Sequence, residues 1–289
     1  MMMGFLMCGL LLYGCRTPEQ TVFAEGEKQL RRLAFADAET TFTAYIALWP
    51  DGPEGYYNRG VARAGQDRFA DAMTDFDRVV RISPGDTDAR WMRFRIRESY
   101  VTALADSVRP DAYERPVFRT LIDALTVLQM EELSALIRYD PYDIAARCER
   151  GILLRKTGRY EEARTDLAVA LLNAPWDVQS RTERGNLFLD LGDYAAALDD
   201  YDAALKACDT CTWLLYNKAL AFRGAGRLPD AVQSLEALVA ADSLDGGAWF
   251  MLGECRMTLG DREGARRAYA RSAARGFPEG LERLEELTR

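Results

Sequence analysis

A spacing of 34 residues constrains this chain more than any single motif. Gly192 has Gly158 one step before it and Gly226 and Gly260 one and two steps after it, and Ala197 has Ala163, Ala231 and Ala265 in the same relation. Within one interval, residues 184–207, Gly185 and Phe188 share a helical face, Gly192-Asp193-Tyr194 interrupts it, and Ala197, Tyr201 and Ala204 then recur at helical spacing. The pattern predicts a helix, a tight turn and a second helix. Glycine or alanine is required where two backbones press together, and a larger residue such as Tyr194 or Tyr201 fills the space beside them. One such hairpin cannot bury both its faces, so it needs neighbours, and the interval supplies them. The amino-terminal half obeys the same step: Gly26 pairs with Gly60, Phe35 with Phe69, Ala38 with Ala72, Phe42 with Phe76 and Pro50 with Pro84.

On these residues the chain resembles the tetratricopeptide repeat family, whose unit carries a small residue at position 8, an aromatic at 17, alanine at 20, an aromatic or leucine at 24 and proline at 32. The units read as 19–52, 53–86, an expanded 87–143, 144–177, 178–211, 212–245 and 246–279, with a capping helix over 280–289. Asp209, Ser243 and Phe277 stand where proline is usual, and Arg262 where an aromatic is usual. The resemblance implies an all-α solenoid, a right-handed superhelix of antiparallel helix pairs, forming one elongated domain over 19–289. With 48% hydrophobic residues the chain can bury a continuous core.

Residues 1–14 are apolar and uncharged, too short for a helix that spans a bilayer, which takes roughly 20 apolar residues. They fit a signal peptide. Leu12-Tyr13-Gly14-Cys15 resembles the bacterial lipobox, which implies cleavage before Cys15, acylation of its thiol, and a tether of residues 15–18. On that reading the protein is a lipoprotein of the bacterial cell envelope, on the periplasmic or outer-membrane side. The alternatives are an apolar terminus that covers the first repeat, or a soluble cytoplasmic adaptor with an unprocessed terminus.

Charge is also periodic. Arg59, Arg150 and Arg184 are each followed sixteen residues later by Asp75, Asp166 and Asp200, which predicts ion pairs tying the first helix of a unit to the second. The expanded unit is 23 residues longer than its neighbours: a first helix to about Leu104, a loop over 106–115, and a second helix from Pro116 to about Arg138. Tyr100, Val101 and Leu104 are expected against Phe118, Leu121, Ile122 and Leu125, in a projection that packs on itself or docks a partner. Arg90, Arg93 and Arg97 share a face, expected to be solvated or to recognise anionic headgroups or glycan carboxylates.

The chain has no histidine, which removes the commonest general base and the usual zinc ligands. No glycine-rich phosphate loop occurs. No catalysis, cofactor or metal is expected, and a net charge of −8 disfavours nucleic acid. Cys208 and Cys211 form a CxxC at a unit boundary, where a structural disulfide is favoured over a redox or metal role. Cys148 and Cys255 are expected to be buried thiols.

What remains is binding. The resemblance implies that first helices line a concave groove holding a peptide or protein partner. The residues it places there are Phe23, Tyr57, Trp91, Arg95, Arg155, Lys156, Asn186, Trp213, Tyr216 and Phe250. Such rings with cationic and amide groups suit a segment carrying apolar side chains and carboxylates.

Overall fold

The computed structural model describes residues 17–107 and 116–288, with side chains described except at 103–107, 116–119 and 288. Cys15, the apolar terminus, the 108–115 loop and the Leu104 and Phe118 side chains lie outside the described residues. Among the described residues there are fifteen α-helices, and they pack as consecutive pairs. The chain divides into two compact units, one ending at Tyr139 and one beginning at Asp140.

The first unit holds α1 (Pro18–Arg31), α2 (Phe35–Leu48), α3 (Pro53–Ala64), α4 (Phe69–Ile82), α5 (Thr87–Ser107) and α6 (Pro116–Tyr139). The second holds α7 (Ile144–Lys156), α8 (Tyr160–Asn173), α9 (Val178–Asp190), α10 (Tyr194–Ala207), α11 (Leu214–Gly224), α12 (Leu228–Ala241), α13 (Gly246–Thr258), α14 (Arg262–Ala274) and the closing α15 (Pro278–Thr288).

The periodic small residues set how closely each pair packs. A β-carbon at Gly26 would lie 2.6 Å from the Phe42 ring, at Gly60 2.9 Å from Phe76, at Gly185 2.7 Å from Tyr201 and at Gly253 2.5 Å from Tyr269. In these four hairpins the glycine of the first helix is therefore the seat for the large residue of the second, whereas Phe94 of α5 and Ala219 of α11 stand at the same place. Phe42, Phe76, Tyr201 and Tyr269 are fully or almost fully buried, as are the alanines Ala38, Ala72, Ala163, Ala197, Ala231 and Ala265. Burying each such ring contributes roughly 1.5–3 kcal/mol.

Among the described residues, the six turns within hairpins close in one geometry. Gly158, Gly192, Gly226 and Gly260 have φ of +72 to +84°, and the following amide donates back to the carbonyl five residues before it, as in Asp193 N to Phe188 O at 2.9 Å. In the first unit Leu33 and Asp67 occupy that place with φ of 59°, closing the same bond without glycine. First helices of the second unit begin on aspartate caps, Asp143, Asp177 and Asp245, whose carboxylates accept from Ala146, Ser180 and Ala248 amides at 2.7–2.9 Å. α11 departs: it starts two residues later in its repeat, behind Trp213, with no side-chain cap.

The expanded unit has helices of 21 and 24 residues against 11–14 elsewhere. Tyr100 and Leu121 are exposed rather than packed in the projection, whereas Val101, Ile122 and Leu125 are half-buried.

Candidate functional site

The first helices carry the residues expected to meet a partner, except Trp213, which lies before α11 because that helix starts two residues late, and much of their polar surface is committed to the fold. Arg59 Nε and Nη2 donate to the two oxygens of Asp75 at 3.1 and 2.7 Å. Arg150 makes the same fork on Asp166 at 2.6 and 2.8 Å, and Arg184 on Asp200 at 2.7 Å twice. The predicted pairs are thus formed. Each buried aspartate also takes a second cation that the spacing did not single out: Arg63 at 2.9 Å, Arg147 at 2.8 Å and Arg181 at 3.6 Å. The hydrogen bonds that Arg184 donates to Asp200 hold its guanidinium above the usual arginine value despite the opposing effect of burial.

The basic run of α5 corrects the sequence reading. Arg90, Arg93 and Arg97 neither face solvent nor present a surface to headgroups or glycans; their guanidiniums converge on Glu132 of α6 at 3.1, 2.9 and 3.1 Å. Glu132 is buried, Arg93 also meets Asp77 at 3.1 Å, and Arg90 donates to the Pro84 carbonyl at 2.9 Å. Glu132 lies 39 residues after Arg93, the sixteen of the other units plus the 23 of the expansion. The expansion sits between the two helices of its hairpin, and the repeat register resumes inside α6. The signal that would have found it was Glu132 at the repeat step of sixteen lengthened by the expansion, not the stretch 121–137 itself, which also holds Asp123 and Glu131.

In the first unit, Phe23 meets Phe42 edge-on at 5.7 Å, Tyr57 meets Phe76 at 5.5 Å, and Trp91 meets Phe94 of its own helix at 5.6 Å. All three are half-buried, while Arg95 is exposed. These rings brace the core on one side and leave an edge open on the other.

In the second unit, Phe250 lies 5.9 Å from Tyr269 and 5.4 Å from Phe277. Tyr216 is half-buried, and burial is the chief reason its phenol is held above the usual value, so it is a neutral hydrogen-bonding group at pH 7. The Asn186 carbonyl accepts from the Tyr201 hydroxyl at 2.8 Å and from the Asn217 amide at 3.2 Å, joining α9 to α11 through two side-chain amides. Asn217 was not singled out beforehand, though its amide on the first helix after that of Asn186 was the available signal. Arg155 meets Asp190 at 2.7 Å and Glu183 at 3.4 Å, so its charge is largely answered within the unit, whereas Lys156 is exposed. Trp213 stands half-exposed at the start of α11.

Cys208 and Cys211 are joined as a disulfide, with their Cα atoms 5.4 Å apart. Cys148 and Cys255 are buried free thiols; burial pushes Cys148 up to about 12 and Cys255 in the same direction. Neither is poised as a nucleophile. Among the described residues no cluster of acidic or cysteine side chains is arranged to hold a metal, and no helix is long and apolar enough to cross a membrane.

Hairpins seated on glycine, braced by buried Arg–Asp forks and carrying half-open rings along their first helices define an α-helical repeat scaffold for protein–protein interaction. The chain belongs to the tetratricopeptide repeat family, whose profile matches residues 23–87, 132–210 and 216–280. Similar solved structures include the C-terminal part of a repeat protein from Cytophaga hutchinsonii, with TM-score 0.66 and 14% identity over 90% of this chain and 99% of that one. A tetratricopeptide repeat protein from Parabacteroides merdae has TM-score 0.63 and 14% identity over 94% and 99%. YrrB, described as having an unusual peptide-binding site, has TM-score 0.54 and 14% identity over 72% and 95%. No curated protein matches the chain.

Proposed function

We propose that the chain is a non-catalytic envelope scaffold, lipid-anchored through Cys15, that holds a peptide or protein partner on its first-helix faces. One observation carries the binding reading: half-open rings and polar heads coincide there, whereas the buried cations elsewhere are consumed by carboxylates. In the second unit the Asn186–Asn217 amide pair, Tyr216 and Lys156 would take a partner's backbone and carboxylates, and Phe250 an apolar side chain. In the first unit Arg95 beside Trp91 has the same character.

The exposed heads give a cleaner test than the rings, whose inner edges support the core. Lys156→Glu with Asn217→Asp in one variant, and Arg95→Glu in another, are expected to lose a partner captured from solubilised envelope while helix content by circular dichroism stays unchanged. An unaltered set of captured proteins in both variants would reject the reading. Mass spectrometry tests the anchor separately: the mature terminus is expected at an acylated Cys15, and an unprocessed Met1 would leave the soluble adaptor in its place.

A further inference from the structure

In the second unit, α7, α9 and α13 share a pair of side-chain locks at their start. An aspartate caps each helix, and four residues further on a side-chain N–H reaches back to a carbonyl of the connection: Arg147 to Pro141 at 2.7 Å, Arg181 to Pro175 at 2.8 Å and Trp249 to Ser243 at 3.1 Å. The step of 34 puts Cys211 in the aspartate's place and Leu215 in the donor's, so α11 has neither lock. The disulfide from Cys211 to Cys208 stands there instead.

The backbone follows the side chains. Cys211 N donates to Cys208 O at 3.2 Å, the same turn that Asp177 makes with Ala174 and Asp143 with Asp140, so the connection is ordinary up to that point. Beyond it the other helices close an α bond onto the cap residue, from Arg147 to Asp143, Arg181 to Asp177 and Trp249 to Asp245. The Leu215 amide donates instead to Thr212 O at 2.9 Å, and the amides of Leu214 and Tyr216 also reach three residues back. The first turn is wound tight, and the α-helix begins only at Leu214. A sulfur tied back to Cys208 cannot turn to accept from the Leu214 amide, as the aspartates accept from Ala146, Ser180 and Ala248.

We propose that this disulfide is a reversible redox lock on the start of α11, opened by a dithiol reductant. A bridge across three residues constrains an unfolded chain little, so it adds little to global stability. Both cysteines are half-buried in a connection whose Asp209, Thr210 and Trp213 are exposed, within reach of a reductant. The thiolate of the dithiol attacks one sulfur, the Sγ–Sγ bond breaks, and the displaced cysteine takes a proton. The second thiol of the reductant then displaces the other cysteine and closes its own disulfide, so the chain gains the two electrons and two protons that the dithiol gives up. Exchange in the reverse direction with a disulfide restores the lock.

Once free, the Cys211 sulfur sits at the amino terminus of a helix, placed to accept from the Leu214 amide, and the helix dipole favours its thiolate. The Leu215 amide then returns to the Cys211 carbonyl, and the turn relaxes from about 120° per residue to about 100°. Trp213 swings about the helix axis with it, at the head of the helix that carries Tyr216 and Asn217. The movement stands without a partner; what it does to one rests on the binding reading above.

Dithiothreitol acting on the full chain opens the test. At pH 8 without denaturant it is expected to make both Cys208 and Cys211 reactive to iodoacetamide in a peptide map, while Cys148 and Cys255 stay unlabelled. With 5-fluorotryptophan incorporated, the five tryptophans give five fluorine resonances, and Trp213→Phe identifies that of Trp213. On reduction this resonance should shift to its position in Cys208→Ser with Cys211→Asp, which carries the ordinary aspartate cap in any redox condition. Cys208→Ser alone, which leaves Cys211 free to cap, should give the same position and serves if the double variant does not fold. No labelling of the two cysteines without denaturant, an unmoved Trp213 resonance, or a shift away from the position of the capped variants would each overturn the proposal. None of these outcomes bears on the capture experiments above, so either reading can fail alone.

Discussion

Replacing Glu132 by glutamine keeps the shape of the side chain and removes the charge on which three arginines converge. An amide offers one accepting oxygen where the carboxylate offers two, and turns an N–H toward a guanidinium. Arg90 retains the Pro84 carbonyl at 2.9 Å and Arg93 retains Asp77 at 3.1 Å, but Arg97, only 8% exposed, loses the carboxylate at 3.1 Å. Breaking a buried pair by removing one partner costs about 3–5 kcal/mol, and since Arg90 keeps a carbonyl acceptor and Arg93 an ion-pair contact with Asp77 the lower end applies, about 3 kcal/mol. Urea unfolding followed by circular dichroism measures the loss. Amide hydrogen exchange localises it, because a repeat array need not unfold in one step. Faster exchange is expected in α5 and the last turns of α6, with α7 to α15 unchanged. Removing the charge from both sides, Arg97→Leu with Glu132→Leu, should cost less than Glu132→Gln alone, because no cation is then left buried without its partner. A loss below about 1 kcal/mol for Glu132→Gln, or a double exchange costlier than the single one, would refute this account.

Leu33 holds φ of 59° at an exposed turn, a conformation costing a side chain about 1–2 kcal/mol; after the entropy glycine loses on folding, Leu33→Gly should raise stability by about 0.5–1 kcal/mol in thermal unfolding. Asp67→Gly should gain less, because aspartate tolerates that region better. Burial would raise the Glu39 carboxyl, yet hydrogen bonds from Arg63 and Gln66 and the Arg68 charge lower it below 4.5. The stability it contributes is therefore present above that pH and lost as pH falls through the folded-state value, and Glu39→Gln should flatten the acid limb of a stability–pH curve. The Cys148 thiol, pushed up to about 12 from 9.0, favours folding while neutral, a contribution lost as pH rises between those values. Cys148 and Cys255 should react with a thiol reagent at pH 8 only after denaturant is added, and rapid labelling of the native chain would contradict their burial.

The hairpins were legible because backbone contact allows few residue types: a glycine facing Phe42, Phe76, Tyr201 or Tyr269 has no substitute with a side chain, so it recurs in register. The forks on Asp75, Asp166 and Asp200 were legible for the same reason, one fixed step between two helices. Their second cations were not, because Arg63 approaches from the residue four after Arg59 and Arg147 and Arg181 from three before Arg150 and Arg184, so no common spacing marks them. The role of the α5 arginines was misread because the expansion moved Glu132 out of the expected column. On the first-helix faces, sequence named the rings but not how each divides between core and surface. That division is set by the neighbouring helix, as Phe250 shows between Tyr269 and Phe277.

The insertion within the α5–α6 hairpin lengthens its arms without disturbing the layer where they stack. Leu133 and Glu132 occupy the places that Phe76 and Asp75 hold one repeat earlier, while Phe94 of α5 stands where the other hairpins have their small residue, so the base keeps the charged and apolar columns of the repeat. The extra length behaves as a cantilever fixed at its root by three guanidiniums and one carboxylate. Such an overhang can be shortened or resurfaced while the root is left intact, which makes it the part of the first unit most open to change.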